Sequence, residues 1–213
     1  MFTGLIKTVG TIREKRITAT VATLTIKTAL AGELQLGDSV AVNGVCLTAA
    51  ALGPDWFRAD VMPETWRSSN LSLLRPGVGV NLEPALGLQD RLGGHLVSGH
   101  VEGIGRISRI EPQRNAILIR IKYPHDLAEY IVLKGSIAVN GVSLTIQAVA
   151  AGELLVSLIP HTYRATNFPE LRPGDGVNLE TDLIAKYVVK AEPPPGPSPS
   201  KLTKEFLTEN GFR

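Results

Sequence analysis

The chain has 213 residues, 22 basic against 20 acidic side chains, a net charge of +2 and 5 % aromatic content. A nearly neutral chain poor in aromatics offers neither a basic stripe for a polyanion nor a platform for stacked bases, so nucleic acid is excluded as a partner. A single cysteine, Cys46, leaves no intrachain disulfide and no cysteine-based zinc site, and no apolar run approaches the roughly 20 residues of a membrane span.

The chain opens on Met1-Phe2-Thr3-Gly4, without the basic region and apolar stretch of a signal peptide, so a soluble cytoplasmic protein is expected. Thr18 to Ile26 is β-branched and roughly alternating, which predicts a strand. Val40 to Val42 runs into Asn43-Gly44, a tight-turn signal, and Cys46-Leu47-Thr48 resumes the strand pattern. Trp56 to Met62 predicts another strand, and Val78 to Leu82 follows a turn at Arg75-Pro76-Gly77. The second half predicts strands over 117–121, 136–139, 143–148, 154–159 and 176–179. Helical periodicity is brief, over 124–130 and near 64–70 and 161–167. Many short strands punctuated by Gly and Pro predict an all-β protein, and closed barrels remove exposed edges. Glu192 to Pro199 is a proline-rich linker, extended and semi-rigid. Beyond it Leu202, Phe206 and Leu207 predict a short amphipathic helix ending at Asn210-Gly211, whose apolar face suits another subunit.

The order of elements is a repetition. Residues 39–48 read SVAVNGVCLT and residues 136–145 read SIAVNGVSLT, 97 positions apart. At the same spacing Pro63-Glu64-Thr65-Trp66-Arg67 returns as Pro160-His161-Thr162-Tyr163-Arg164, Asn70 as Asn167, and Gly79-Val80-Asn81-Leu82-Glu83 as Gly176-Val177-Asn178-Leu179-Glu180. The starts match at 95, Thr3-Gly4 with Ser98-Gly99. A period this long is a whole domain rather than a solenoid unit. Paired domains imply paired pockets, able to hold two copies of one ligand.

Chemistry is expected where the halves differ. A cysteine in an apolar strand is ordinarily a small buried hydrophobe. Cys46 answering Ser143 gives the two pockets different tasks, because a thiolate is a stronger nucleophile than an alcohol. His95 and His100 flank glycines at the junction of the halves and suit polar contact with a ligand, without a third group to make a metal set. Thr48, Thr65, Thr145 and Thr162 recur at matched positions. They read as strand or cap residues, or as hydroxyls for a polyhydroxylated heteroaromatic ligand.

The opening Met1-Phe2-Thr3-Gly4-Leu5-Ile6, the block Asn43 to Thr48, Gly93-Gly94-His95-Leu96-Val97-Ser98-Gly99-His100 and the block Asn140 to Thr145 together resemble the α-chain type of riboflavin synthase, a family of duplicated lumazine-binding domains. The likeness covers about residues 1–190 and extends to the C-terminal tail. It implies two six-stranded Greek-key barrels in tandem plus a short C-terminal helix. The domains would be 1–97 and 98–190, with 191–213 a linker and trimerisation helix, in a homotrimer. It implies dismutation of two molecules of 6,7-dimethyl-8-ribityllumazine to riboflavin and 5-amino-6-(D-ribitylamino)uracil by four-carbon transfer, with no metal or organic cofactor, and a possible association with lumazine synthase.

By the same resemblance the first pocket draws on Gly4, Leu5, Ile6, Cys46, Leu47, Thr48, Asp60, Val61, Met62, Pro63, Glu64 and Thr65. The second draws on Gly99, His100, Val101, Ser143, Leu144, Thr145, Ile159, Pro160, His161, Thr162, Tyr163 and Arg164. Lys134 reaches in from a neighbouring subunit. His100, Ser143, Thr145 and Asp182 serve proton transfer and nucleophile activation, with Cys46 facing them and Phe2 helping to close the site. The competing reading on this scaffold is a lumazine- or flavin-carrying antenna without catalysis, whose relatives depart at the cysteine, the Ser-Gly-His segment and the Ser-Leu-Thr block, all retained in this chain. A flavin reductase needs a nicotinamide-binding domain for which the repeat leaves no room.

Overall fold

Among residues 1–18, 21–191 and 204–211, which the computed structural model describes, the chain folds as two closed six-stranded antiparallel barrels. The first comprises β1 (Thr8–Ile17), β2 (Ala22–Lys27), β3 (Ser39–Val42), β4 (Val45–Leu52), β5 (Trp56–Val61) and β6 (Gly79–Pro84), neighbours in the order β1-β2-β5-β4-β3-β6. The second comprises β7 (Gly103–Gln113), β8 (Ala116–Lys122), β9 (Ser136–Val139), β10 (Val142–Ala150), β11 (Glu153–Leu158) and β12 (Gly176–Thr181), in the equivalent order β7-β8-β11-β10-β9-β12. In each, three consecutive strands pair in series and the strand before them returns beside the last, which is Greek-key connectivity. A short helix follows the fifth strand of each barrel: α1 (Pro63–Ser68) and α2 (Pro160–Arg164), each with proline in its first turn.

Local sequence explains the closure. Asn43 and Gly44 have φ of 46° and 81°, and Asn140 and Gly141 have 46° and 79°. Positive φ at both central residues is what a two-residue hairpin turn with the native strand twist requires. Bulges recur at matched places, between Ile12 and Glu14 and between Ile107 and Arg109, and again between Ala49 and Ala51 and between Ile146 and Ala148. Each adds the bend that lets six short strands close. Alternation fills the interiors: Phe57, Ala59 and Val61 of β5 point inward, as do Leu154, Val156 and Leu158 of β11.

Sequence patterning overlooked β1 and β7. Their charged runs, Arg13 to Arg16 and Arg106 to Arg109, mask strands that bury little beyond Gly10 and Ile12, or Gly105 and Ile107. The strand expected from Thr18 begins at Ala22, because Thr18 Oγ1 closes a turn onto Val21. Two helices follow the second barrel. α3 (Leu183–Ala191) was not anticipated, while α4 (Lys204–Glu209) contains the expected Phe206 and Leu207. The proline-rich linker and Leu202 lie outside the described residues.

The barrels meet along a reciprocal polar seam. Asn70 N–H donates to Asn178 Oδ1 at 2.6 Å and Asn167 N–H to Asn81 Oδ1 at 2.7 Å. Asn81 Nδ2 donates to Asn140 O at 2.9 Å and Asn178 Nδ2 to Asn43 O at 2.8 Å. Gly44 and Gly141 touch backbone to backbone: a Cβ on either would lie 2.7 Å from the other's N. Buried asparagines are costly unless paired, so the seam fixes one relative placement of the barrels. A smaller apolar cluster of Phe2, Ala41, Val97 and Ala138 sits beside it, with Phe2 bridged to Val97.

Candidate active site

Each half begins with a strap that its own last strand anchors. Glu83 of β6 accepts from Thr3 N–H (2.6 Å), Thr3 Oγ1 (2.7 Å) and Gly4 N–H (3.0 Å). Glu180 of β12 accepts from Ser98 N–H (2.6 Å), Ser98 Oγ (2.7 Å) and Gly99 N–H (3.0 Å). Both carboxylates are buried, 6 % and 2 % exposed, a cost that these charge-assisted bonds reduce. For Glu83, burial outweighs the bonds from Thr3 and Gly4 and raises the carboxyl above its usual 4.5.

The anchored straps then cross the seam. Ser143 N–H donates to Gly4 O at 2.8 Å, and Cys46 N–H donates to Gly99 O at 2.9 Å. Ile6 packs on the core of the second barrel and Val101 on that of the first. This corrects the grouping expected from the resemblance. Gly4, Leu5 and Ile6 lie with Ser143 to Thr145, and Gly99, His100 and Val101 lie with Cys46 to Thr48. Gly4 and Gly99 have φ of 77° and 85°, and a Cβ on either would collide with Ser143 or Cys46, so glycine is required at both crossings.

The outer faces of the paired strands complete each half-site. Cys46 is half-buried and Thr48 exposed on β4; Ser143 and Thr145 repeat this on β10. Ala49 pairs with Ala59 and Ile146 with Val156, which sets these residues beside the ends of β5 and β11. There Met62 and Ile159 cap α1 and α2 with 70 % and 61 % of their surface exposed, an apolar rim suited to a flat heterocycle. Pro63, Glu64 and Thr65 on one side and Pro160, His161, Thr162 and Arg164 on the other continue the rims.

Not every expected side chain lies on the outer face of its barrel. Leu47, Val61 and Leu144 point into the barrel cores and offer only backbone, and Tyr163 packs partly against the second core. Phe2 is fully buried beneath Cys46 and Gly99, so it braces the strap and does not cover the site. Asp60 lines a separate cavity of about 450 Å³ with Arg16, Trp56 and Arg58 on the outer face of the first barrel. Lys134 is exposed on the second barrel at a left-handed φ of 68°. His100 is exposed on its strap. Asp182 caps α3 by accepting from Ile184 N–H at 3.0 Å.

His95, expected from the sequence to suit polar contact with a ligand, sits beside Ser143 in the second half-site. Its Nδ1 lies 2.7 Å from Ser143 Oγ, while its backbone N–H donates to Thr3 O. Burial lowers the imidazole below its usual 6.5, opposed by the nearby carboxylates of Asp182 and Glu180. Cys46, the counterpart of Ser143, makes no side-chain hydrogen bond among the described residues.

The lumazine binding domain family matches the chain twice, over residues 3–85 and 98–182. The riboflavin synthase of Bacillus subtilis (strain 168) is 44 % identical over 215 residues, covering 100 % of both chains. That of Mycobacterium bovis (strain ATCC BAA-935 / AF2122/97) is 46 % identical over 196 residues, covering 88 % of this chain and 96 % of its own. Among solved structures, LumP complexed with riboflavin superposes with a TM-score of 0.80 at 25 % identity, covering 85 % of this chain and 99 % of that one. LumP complexed with 6,7-dimethyl-8-(1'-D-ribityl) lumazine superposes with a TM-score of 0.78 at 24 % identity over the same shares, a likeness of fold. Twin barrels, twin anchored straps and identity above 40 % to such enzymes over at least 88 % of the chain place it in the riboflavin synthase family of duplicated lumazine-binding domains.

Proposed function

We propose that this protein is a riboflavin synthase. It takes two molecules of 6,7-dimethyl-8-ribityllumazine and moves a four-carbon unit from one to the other, giving riboflavin and 5-amino-6-(D-ribitylamino)uracil, without a cofactor. The observation that carries this reading is the pair of half-sites built alike but equipped differently, Cys46 on one and Ser143 with His95 on the other. A reaction between two copies of one substrate needs two such seats. Holding both rings in register supplies roughly 7–11 kcal/mol of the barrier.

The chemistry asks little beyond orientation. The 7-methyl protons of the donor are acidic because the heterocycle delocalises the carbanion, so a modest base suffices. The acceptor takes a nucleophile at the neighbouring ring carbon, the donor carbanion attacks, and eliminations redistribute the four carbons. His100, Ser143, Thr145 and Asp182 are the candidates for proton transfer and nucleophile activation, with Cys46 facing them.

Residues 1–97 and 98–190 then each serve as a lumazine-binding unit, with 191–213 as linker and terminal helix of a homotrimer. The working site joins the first barrel of one subunit to the second of the next, with Lys134 reaching across. Oligomerisation is supported by α3, where Ile184, Tyr187 and Val188, at i, i+3 and i+4, are exposed in the single chain. Light scattering of the purified protein tests the trimer. No helix among the described residues is long and apolar enough to cross a membrane, and a cytoplasmic enzyme associated with lumazine synthase fits this reading. Incubation with the lumazine, followed by riboflavin absorbance, tests the activity. Binding without conversion would instead identify an antenna on the same scaffold.

A further inference from the structure

We infer that His95 is a positioning residue and proton acceptor for Ser143, which makes the second barrel the seat of the acceptor lumazine. This rests on the synthase reading above. Three features of the structure carry it. His95 Nδ1 and Ser143 Oγ are 2.7 Å apart, a hydrogen bond short enough for proton transfer. His95 is held from several sides: its N–H is bonded to Thr3 O of the crossing strap, and only 8 % of the residue is exposed. The approach also depends on the glycine before it, since a Cβ on Gly94 would clash with Thr3 O and come within 3.0 Å of Ser143 Oγ.

The first barrel lacks this arrangement. Cys46 occupies the position of Ser143, yet no imidazole bonds to it among the described residues. Of the matched positions 46 and 143, only Ser143 therefore has an imidazole-assisted side chain among the described residues. Burial keeps the His95 imidazole neutral and able to accept. With Nδ1 as the acceptor, the ring proton sits on Nε2, which has no hydrogen-bond partner among the described residues. Glu180 of β12 and Asp182 beyond it are the charged groups facing the ring, and their fields favour that proton and the imidazolium that follows.

The step balances. Ser143 Oγ forms a bond to the electrophilic ring carbon beside N8 of the lumazine on the second barrel. The Oγ–H bond breaks, its proton passes to His95 Nδ1, and the electron pair of the ring C=C bond at that carbon delocalises through the heterocycle. Elimination of the Ser143 oxygen later returns the proton from His95. Nothing is oxidised or reduced in the addition.

The test is a double-mutant cycle on the full-length protein with wild type, His95→Asn, Ser143→Ala and the pair. Asparagine keeps a polar group near the Nδ1 position but does not titrate. Lumazine fluorescence titration verifies that each variant still folds and binds. The expected result is a fall in kcat of about 100-fold for each single variant with KM little changed, and no further loss in the double variant. The acid limb of the pH–rate profile set by His95 protonation also disappears in His95→Asn. Losses that multiply in the double variant, or an unaltered acid limb, would overturn the inference. Should His95→Asn fail to fold, His95→Gln in the same cycle provides the comparison. A wild-type protein that makes no riboflavin would defeat the synthase reading itself, a separate outcome.

Discussion

Replacing Gly44 with alanine probes how tightly the barrels are locked. Gly44 has φ +81°, and an alanine there carries a left-handed backbone cost of roughly 1–2 kcal/mol. Its Cβ would also sit 2.7 Å from Gly141 N and 2.9 Å from Gly141 Cα, both backbone atoms of the opposite hairpin. Ordinary contact begins at 3.4 Å, so the hairpins must part by about 0.7 Å. The residues before the two glycines accept the seam bonds from Asn178 Nδ2 at 2.8 Å and Asn81 Nδ2 at 2.9 Å. Stretched by that amount, these bonds reach about 3.5–3.6 Å and are lost. Two buried amides left unpaired add about 1–3 kcal/mol each, giving a total of at least about 3 kcal/mol. For a chain of this size that lowers Tm by roughly 6–12 °C or more. Gly77→Ala is the matched control: its φ is +91° but nothing lies within 4 Å, so only the backbone cost remains. Calorimetry of the two variants separates strain from collision. Equal losses in both would show that the hairpins can part without breaking the seam. Conversion of lumazine should fall in Gly44→Ala alone, because the strap bonds from Cys46 and Ser143 depend on the same placement.

Two further predictions concern the buried glutamates. Glu180→Ala removes the acceptor of three hydrogen bonds from the strap that presents His100, and should cost roughly 3 kcal/mol in urea unfolding while lowering conversion more than binding. Glu83 has a folded pKa raised above 4.5, so the folded chain binds more protons than the unfolded chain in the window above that value. Its contribution is therefore greatest at acid pH and declines as pH rises through the raised value. Urea midpoints at steps from about pH 4 to pH 7 should drift downward in wild type relative to Glu83→Gln, and parallel curves would remove burial as the dominant influence.

Most of the fold was legible because repetition acts as an internal alignment. The NG hairpins, the Arg-Pro-Gly turns and the alternating fifth strands announce themselves in each half and then again 97 residues later. β1 and β7 were not legible: their exposed charges at bulged strands erase the period of two on which such reading depends. α3 was missed because β12 runs into it through only Asp182, whose capping role is hard to distinguish from any acid after a strand. For the site, sequence supplied residue types but not partners. Local spacing cannot reveal that Gly4 serves Ser143 across a gap of 139 positions, or that His95 turns toward the second barrel and away from the first. Those facts depend on the seam, which is created by asparagines whose turn-forming role conceals their second use.

The last consequence concerns the asymmetry itself. Glu83 and Glu180 anchor equal straps, so geometry alone gives the two half-sites no distinct tasks. Differences accumulate around the second barrel: His95 on Ser143, and Glu102 accepting from Thr181 N–H and Oγ1 while holding Lys186 at 2.8 Å. Their counterparts in the first half are Lys7 and Pro84 in place of Glu102 and Thr181. If His95 makes position 143 a site of proton withdrawal, a thiol placed there should become a thiolate near neutrality. Ser143→Cys in a Cys46→Ser background leaves a single cysteine beside the imidazole. An isolated thiol titrates near 8.5, whereas one paired with an imidazolium falls to roughly 3.5–7.5. Iodoacetamide labelling of this variant should be near its plateau rate by neutral pH, and the addition of His95→Asn should restore a rate that climbs into the alkaline range. A thiol whose labelling rate climbs to pH of about 8.5 with His95 intact would mean that the imidazole does not take the proton. The two barrels would then differ in size and polarity at this position, but not in acid–base power.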